Sequence, residues 1–324
     1  MNLKFLKLLF YSLIVLCATS CKKDIDEFIP DVVVLNGDVS DIFAAFGTSP
    51  DQEVFTVNSD NWIRVNTAKA SVIEAEAESF QFLDGTPCTG DVRLEITELF
   101  SKGEILMYGI ETISEGRILE SDGELIIKAY QGNQVLKLAP SKRINIKVLN
   151  NSPREEMELF YGQTKQDPNT GIETRDWKEA DEDSLLTANV WESQWQDSSR
   201  LGFGYECFSD SLDFVNIDYF TKFDLDLTQA CVNLPSGYDT QNTVVYAVFN
   251  EYKIVLSLAG NEDLEMFCAS LPIGEDVQFI VMAAEADDIF HFGTTSNTIS
   301  DNLFVEIIPE ETPIDDIKAF LMSL

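Results

Sequence analysis

Trp177, Trp191 and Trp195 are the side chains whose type and spacing best suit ligand chemistry, because an indole face is a flat apolar platform on which a sugar ring can stack. They flank an acidic run holding Glu179, Asp181, Glu182 and Asp183, and the same three rings would equally well pack a connector onto a folded body. Nucleophilic catalysis has little to work with. His291 is the only histidine, so any Ser-His-Asp or Cys-His arrangement must use it. It stands in Asp288-Ile289-Phe290-His291-Phe292-Gly293, an aromatic, strand-like run that reads as a structural or edge position. Asp167, Asn169 and Glu173 place oxygen atoms at alternating positions around a turn as a calcium loop does, but they lack the terminal bidentate glutamate spacing and read as a hairpin turn. With 56 acidic residues some carboxylate pair will always lie at a glycosidase distance, so none can be singled out. No GxSxG, HExxH, P-loop or GxGxxG run occurs. The expectation is a protein that is not an enzyme, with no catalytic residue, metal ligand or cofactor assigned.

The cysteines divide into two sets. Cys17 and Cys21 lie near the start, and Cys88, Cys207, Cys231 and Cys268 are spread over the rest without any CxxC spacing, which makes a zinc site improbable. Four cysteines allow three pairings and the sequence does not choose among them. A single bridge among Cys207, Cys231 and Cys268, with Cys88 left alone, and a set of buried unpaired thiols are both open readings.

Cys21 has its own context. Lys4 and Lys7 precede an apolar run from Leu8 to Leu16 that is too short to span a bilayer, and Ala18-Thr19-Ser20 are small residues directly before the cysteine. This pattern resembles the bacterial lipoprotein signal, which implies cleavage after Ser20 and lipid attachment at Cys21, with acyl chains as the membrane anchor. Lys22-Lys23-Asp24-Ile25-Asp26-Glu27 then resembles the tether with which Bacteroidota send lipoproteins to the outer face of the outer membrane. A linker facing the periplasm is the alternative.

Charge narrows the partners. The formal net charge is -34, and loss of Lys4 and Lys7 with a signal would lower it by two more. Such a surface repels phosphate backbones and anionic headgroups, so nucleic acid and electrostatic membrane binding are poor expectations. About 300 residues follow Cys21, enough for two domains of ordinary size, and the apolar content argues for folded cores rather than disorder.

Most of those residues read as strands. Val92, Leu94 and Ile96 alternate with Arg93, Glu95 and Thr97, giving one buried and one polar face, and Ile144 to Val148 repeats the pattern. Short runs at 32–35, 53–57 and 62–65, a turn at Asn36-Gly37-Asp38, and little helical periodicity make residues 31–150 an expected all-β domain. Residues 21–30 read as the tether, and 151–199 as an acidic connector carrying one hairpin. Alternating Phe223, Leu225 and Leu227, then 243–249, 254–258 and 277–282, make 200–310 a second strand-rich domain. At the end Thr312 as N-cap, Pro313 in the first turn, and Ile314, Ile317, Leu321 and Leu324 on one face predict a helix over 311–324 that folds back on the second domain.

Two resemblances bear on the fold. Phe80 and Gly85 before a strand, Glu98, the segment 106–109, the Leu-Glu-Ser-x-Gly stretch 119–123, and later 157–162, 177–180 and 214–220 are similar to a module of Bacteroidota cell-envelope lipoproteins. Relatives usually carry a Gly-Trp pair where Phe214-Val215 stand here. That likeness implies a β-sandwich and carries no activity to transfer. Phe267-Cys268-Ala269-Ser270-Leu271-Pro272-Ile273-Gly274-Glu275 resembles the corner turn of carboxypeptidase regulatory-like, transthyretin-like sandwiches, which implies a second sandwich that binds or spaces. The expected architecture is therefore all-β, two tandem β-sandwiches joined by an acidic connector. The expected function is a lipid-anchored accessory or interaction subunit of an outer-membrane assembly with a membrane-protein partner. A glycan-binding lipoprotein using Trp177, Trp191 and Trp195 is the alternative, and an acidic hydrolase the third.

Overall fold

In the computed structural model, which describes residues 35–47, 52–166, 173–180, 190–197, 200–223, 226–261, 266–286 and 288–324, the alternation around Val92 becomes the strand Asp91–Leu99. Val92, Leu94 and Ile96 are buried as the pattern requires, but so are Thr97 and Glu98. The reason is that this strand belongs to a sheet covered on both faces. The expected signal segment, Cys21, the expected tether, the run 32–34, the turn expected at 167–171 and residues Asp181 to Asp183 lie outside the described residues.

The fold is all-β in class, with four sheets and three short helices among the described residues. The first sheet is nine-stranded, with a path Gln52–Asn58, Asp91–Leu99, Arg117–Gln131, Asp213–Phe220, Glu158–Gln166, Glu173–Glu179. The second runs Val190–Asp197, Arg200–Ser209, Ile144–Leu149, Val72–Ala75, Ile63–Asn66. The third, Ala259–Asn261, Met266–Pro272, Leu227–Asn233, Leu303–Glu306, contains a parallel pair at its Leu303–Glu306 edge. The fourth, Val255–Ser257, Thr243–Phe249, Asp276–Glu285, Ile289–Thr298, Glu310–Glu311, has the nearly continuous apolar run Val277 to Met282 on its central strand. That run is buried on both sides, which is why it does not alternate.

Residues 151–199, expected as a connector, are different in the structure. Their described strands are woven into the first and second sheets: Glu158–Gln166 pairs with Asp213–Phe220, and Val190–Asp197 pairs with Arg200–Ser209, which continues to Ile144–Leu149. The acidic side chains hid strands whose one apolar face is short. Of the alternation expected from Phe223 to Leu227, residues 224–225 lie outside the described residues, and the described strand is Leu227–Asn233.

Three cores hold Val34–Leu324 as one compact unit. One joins Val92, Leu94, Ile96 and Ile217 of the first sheet to Ile73, Ile146, Val148 and Tyr205 of the second. Another joins Val245, Phe249, Phe279 and Val281 of the fourth sheet to Ala230, Val232 and Phe267 of the third. The remaining one gathers Leu99, Ile126 and Phe160 of the first sheet, Val248, Ile280 and Met282 of the fourth, and the three helices. Helix α1, Val39–Phe46, and helix α2, Lys102–Met107, replace what reads as turn and loop. Each starts with a capping box, Asp38 with Asp41 and Ser101 with Glu104, in which each side chain takes the other's exposed backbone N–H. Helix α3, Ile314–Leu321, buries Ile317 and Leu321 in this middle core rather than against the second half alone, and Pro313 rather than Thr312 takes the cap position.

A buried polar stripe also crosses the first sheet. Asn216 and Asp218 alternate with Val215 and Ile217 and so lie on the face away from the first core. Ser121 donates to Asn216 Oδ1 (3.1 Å), Asn216 Nδ2 donates to Asp218 Oδ2 (2.5 Å), and Asp218 Oδ1 is buried without a partner. Burial pushes the Asp218 carboxyl well above its ordinary range, with Ser121 and Asn216 opposing only partly. A carboxyl raised on folding contributes its stability below the unfolded-state pKa and loses it as pH rises toward the folded value. Asp218→Asn should therefore stabilise the protein by about 1–2 kcal/mol at pH 7 and give no gain at pH 4. Urea unfolding at the two pH values checks this, and an equal difference at both would rule out the neutral buried carboxyl.

Candidate binding cleft on the second sheet

Alternation along the second sheet sends Ile63, Ile73, Ile144, Ile146, Tyr205 and Cys207 into the first core. Arg64, Glu74, Asn145, Lys147 and Glu206 are left on the opposite face. Register sets them side by side: Arg64 faces Glu74, Glu74 faces Asn145, and Lys147 faces Glu206. They are linked accordingly. Arg64 Nη1 donates to Glu74 Oε1 (2.7 Å), Lys147 Nζ to Glu74 Oε2 (2.9 Å), and Asn145 Nδ2 to Glu206 Oε1 (2.7 Å), while the Ser193 hydroxyl also donates to Glu206. Burial would raise the Glu206 carboxyl, but Ser193, Asn145 and the Lys147 ammonium together hold it below the usual range. This face thus carries a charge-balanced ladder.

Beside this ladder lies an open cleft of about 430 Å³ lined by Trp62, Glu74, Arg143, Asn145 and Phe208, among others. Trp62 is 58% exposed, a large share for an indole. It is placed by the turn before Ile63–Asn66, where Asn58 Oδ1 accepts from Asp60 N and Asn61 Nδ2 and the buried Ser59 hydroxyl donates to Cys88 O (2.9 Å). Phe208 packs at 5.6 Å from Trp191, and the Arg143 guanidinium sits 5.9 Å from the Phe208 ring centre. An adjoining depression of about 500 Å³ shares Ser141 and Arg143 and adds Lys137, Lys142 and Asp210. Ser141 holds φ of +64°, a left-handed conformation unusual for a residue with a side chain.

The three tryptophans singled out by sequence are not brought together. Trp177 is 2% exposed, donates its Nε1–H to Glu111 O (3.0 Å) and packs in the middle core. Trp195 is 7% exposed and lies over Gly202, where a Cβ would strike its ring. Only Trp191, 37% exposed, adjoins the cleft, through Phe208. A platform of all three is overturned by this burial. Trp62, Phe208 and Arg143 went unseen because each sits at the end of a strand, where periodicity does not tell exposed from buried. The turn Asn58-Ser59-Asp60-Asn61 just before Trp62 was the available signal.

His291 lies on Ile289–Thr298 far from any of this in sequence, with Nδ1 3.1 Å from the Tyr238 hydroxyl and Nε2 3.0 Å from Glu285 Oε2. It bridges two segments, as a structural residue does. The carboxyls that burial raises, Glu98, Glu111, Asp218 and Glu275, do not line the cleft. Among the described residues no group of three or more His, Cys, Asp or Glu could hold a metal ion, and no helix is long and apolar enough to cross a membrane.

No protein-family model matches the chain, and no curated protein does either.

Proposed function

We propose that this chain is a lipid-anchored envelope protein that binds a glycan without transforming it, at the cleft beside Trp62. In this reading the four sheets are two β-sandwich modules, the first and second sheets forming one and the third and fourth the other. The observation that carries it is Trp62: an indole more than half exposed, held by a hydrogen-bonded turn in a cleft that Phe208 also lines, beside Glu74 and Asn145 of the polar ladder. Aromatic faces over fixed polar partners are what a sugar ring needs, apolar C–H faces against the rings and hydroxyls toward the ladder. The cleft's volume suits a short saccharide segment.

Retention on immobilised glycans tests this. Trp62→Ala should weaken binding at least tenfold while leaving the thermal midpoint nearly unchanged, since the ring is mostly outside the core. Equal retention of variant and wild type would defeat the assignment of this cleft.

Anchoring is the other half of the reading, placed at Cys21 and directed to the outer face of the outer membrane. Cys21→Ser should abolish incorporation of labelled palmitate and release the protein from membranes; a labelled variant would refute it.

A second reading, an accessory subunit of an outer-membrane assembly, draws on the third sheet. Its edge strand Leu303–Glu306 exposes Phe304, with Ile308 just beyond and Leu227 also exposed, apolar surface of the kind that marks protein contacts. Purification of the lipidated protein from its native membrane decides this, and recovery of the protein alone would set it aside.

A further inference from the structure

The cleft has a property that sugar stacking alone does not explain. Acids outnumber bases by 56 to 22 in this chain, so a cation finds a carboxylate easily. Arg64, Arg93, Arg117 and Arg154 do so, with Glu74, Glu95, Glu179 and Glu120. Arg143 does not. It is half-buried, its guanidinium rests near Phe208, and among the described residues no carboxylate or other acceptor takes its N–H groups. It lines both depressions. Lys137 and Lys142 stand in the second of them, each donating to a backbone carbonyl, of Leu83 and Ala77, and Lys142 also to Glu76. The adjoining depression thus holds Lys137, Lys142 and Arg143 against Asp210, while in the aromatic cleft Arg143 stands with Glu74, which is paired with Arg64 and Lys147, and Glu76, which is paired with Lys142.

We infer that the cleft takes an acidic sugar, its ring against Trp62 and Phe208 and its carboxylate or sulfate held by the Arg143 guanidinium. This rests on the reading of the cleft as a glycan site. A planar guanidinium whose donors meet no acceptor among the described residues offers the paired hydrogen bonds that a carboxylate or sulfate accepts, and the adjoining ring limits competition from water. The adjacent lysines add attraction along a charged chain, with Lys137 and Lys142 placed to meet the next residue of a polymer. A bare polyanion fits less well. It would leave the aromatic faces without a partner.

Four polymers in two matched pairs distinguish these ideas: dextran against dextran sulfate, and methyl-esterified against free polygalacturonate, each titrated into the full-length protein in detergent. Polyglutamate serves as an anion without a ring. The charged member of at least one pair should bind about tenfold or more tightly than its neutral partner. Arg143→Gln should erase that preference, and Arg143→Lys should keep part of it. Free galacturonate, and not galactose, should displace the charged polymer from the unaltered protein, a readout that needs no variant to fold. Neutral and charged members bound alike, or a preference that survives Arg143→Gln, would overturn the acidic-sugar inference and leave glycan binding standing. Polyglutamate bound as tightly as polygalacturonate would overturn the role of the ring. Retention of none of the four would remove both readings together.

Discussion

Gly103→Ala should lower the stability of the protein by about 3 kcal/mol, read as a fall in the urea midpoint, although alanine is by nature the better helix former. Gly103 is buried in helix α2, and a Cβ there would run into the backbone carbonyl of Leu321 in helix α3. A backbone obstacle cannot rotate aside as a side chain can. Either helix must move, and α3 moves only by withdrawing Ile317 and Leu321 from the middle core. The gain in helix propensity, about 1 kcal/mol, offsets only part of this. A chain ending at Thr312 separates the two effects. It should be less stable than wild type, because the middle core loses its α3 face, but in that background Gly103→Ala should cost nothing and even stabilise slightly. This non-additivity identifies the helix contact as the cause. An unchanged midpoint for Gly103→Ala in the intact chain would show that α3 does not seat there.

The same contact shows where the sequence was readable and where it was not. Strands with one wet face announced themselves, as the Val92, Leu94, Ile96 alternation did, because a period of two survives when only one side is buried. Helix α3 was equally plain, its Ile314, Ile317, Leu321 and Leu324 falling on one face. Helices α1 and α2 were missed, being too short to build a period. Their capping boxes, Asp38 to Asp41 and Ser101 to Glu104, were the better signal, since they depend on four residues rather than on several turns. Residues 151–199 misled for a different reason. Composition reports net charge, while membership of a sheet depends on which few residues meet a core, and Leu159, Phe160, Trp177 and Trp195 suffice. The cleft was the least legible. Trp62, Arg143 and Phe208 come from three distant segments, and only the pairing of Ile144–Leu149 with Arg200–Ser209, and of Val72–Ala75 with both Ile144–Leu149 and Ile63–Asn66, brings them to one face.

Loss of the Cys231–Cys268 disulfide should weaken the fold by about 3–4 kcal/mol. Cys231 and Cys268 face each other in register on neighbouring antiparallel strands of the third sheet, 37 residues apart. Between them the chain leaves for the fourth sheet, forms Thr243–Phe249 and Val255–Ser257, and returns through Ala259–Asn261. The bridge therefore closes a loop that reaches across a core, and without it the unfolded chain gains the freedom of that whole excursion. Cys231→Ala with Cys268→Ala, and wild type in reductant, should show the same loss. Cys88 and Cys207 are the control. Both are free and buried, and burial pushes the Cys207 thiol up to about 12, so neither should react with iodoacetamide until the protein unfolds. Equal stability of oxidised and reduced protein would mean that the strand pairing alone fixes the third sheet. A measured loss has a wider consequence. Disulfides persist where thiols are oxidised, so such a loss would add support to the proposed lipid-anchored reading.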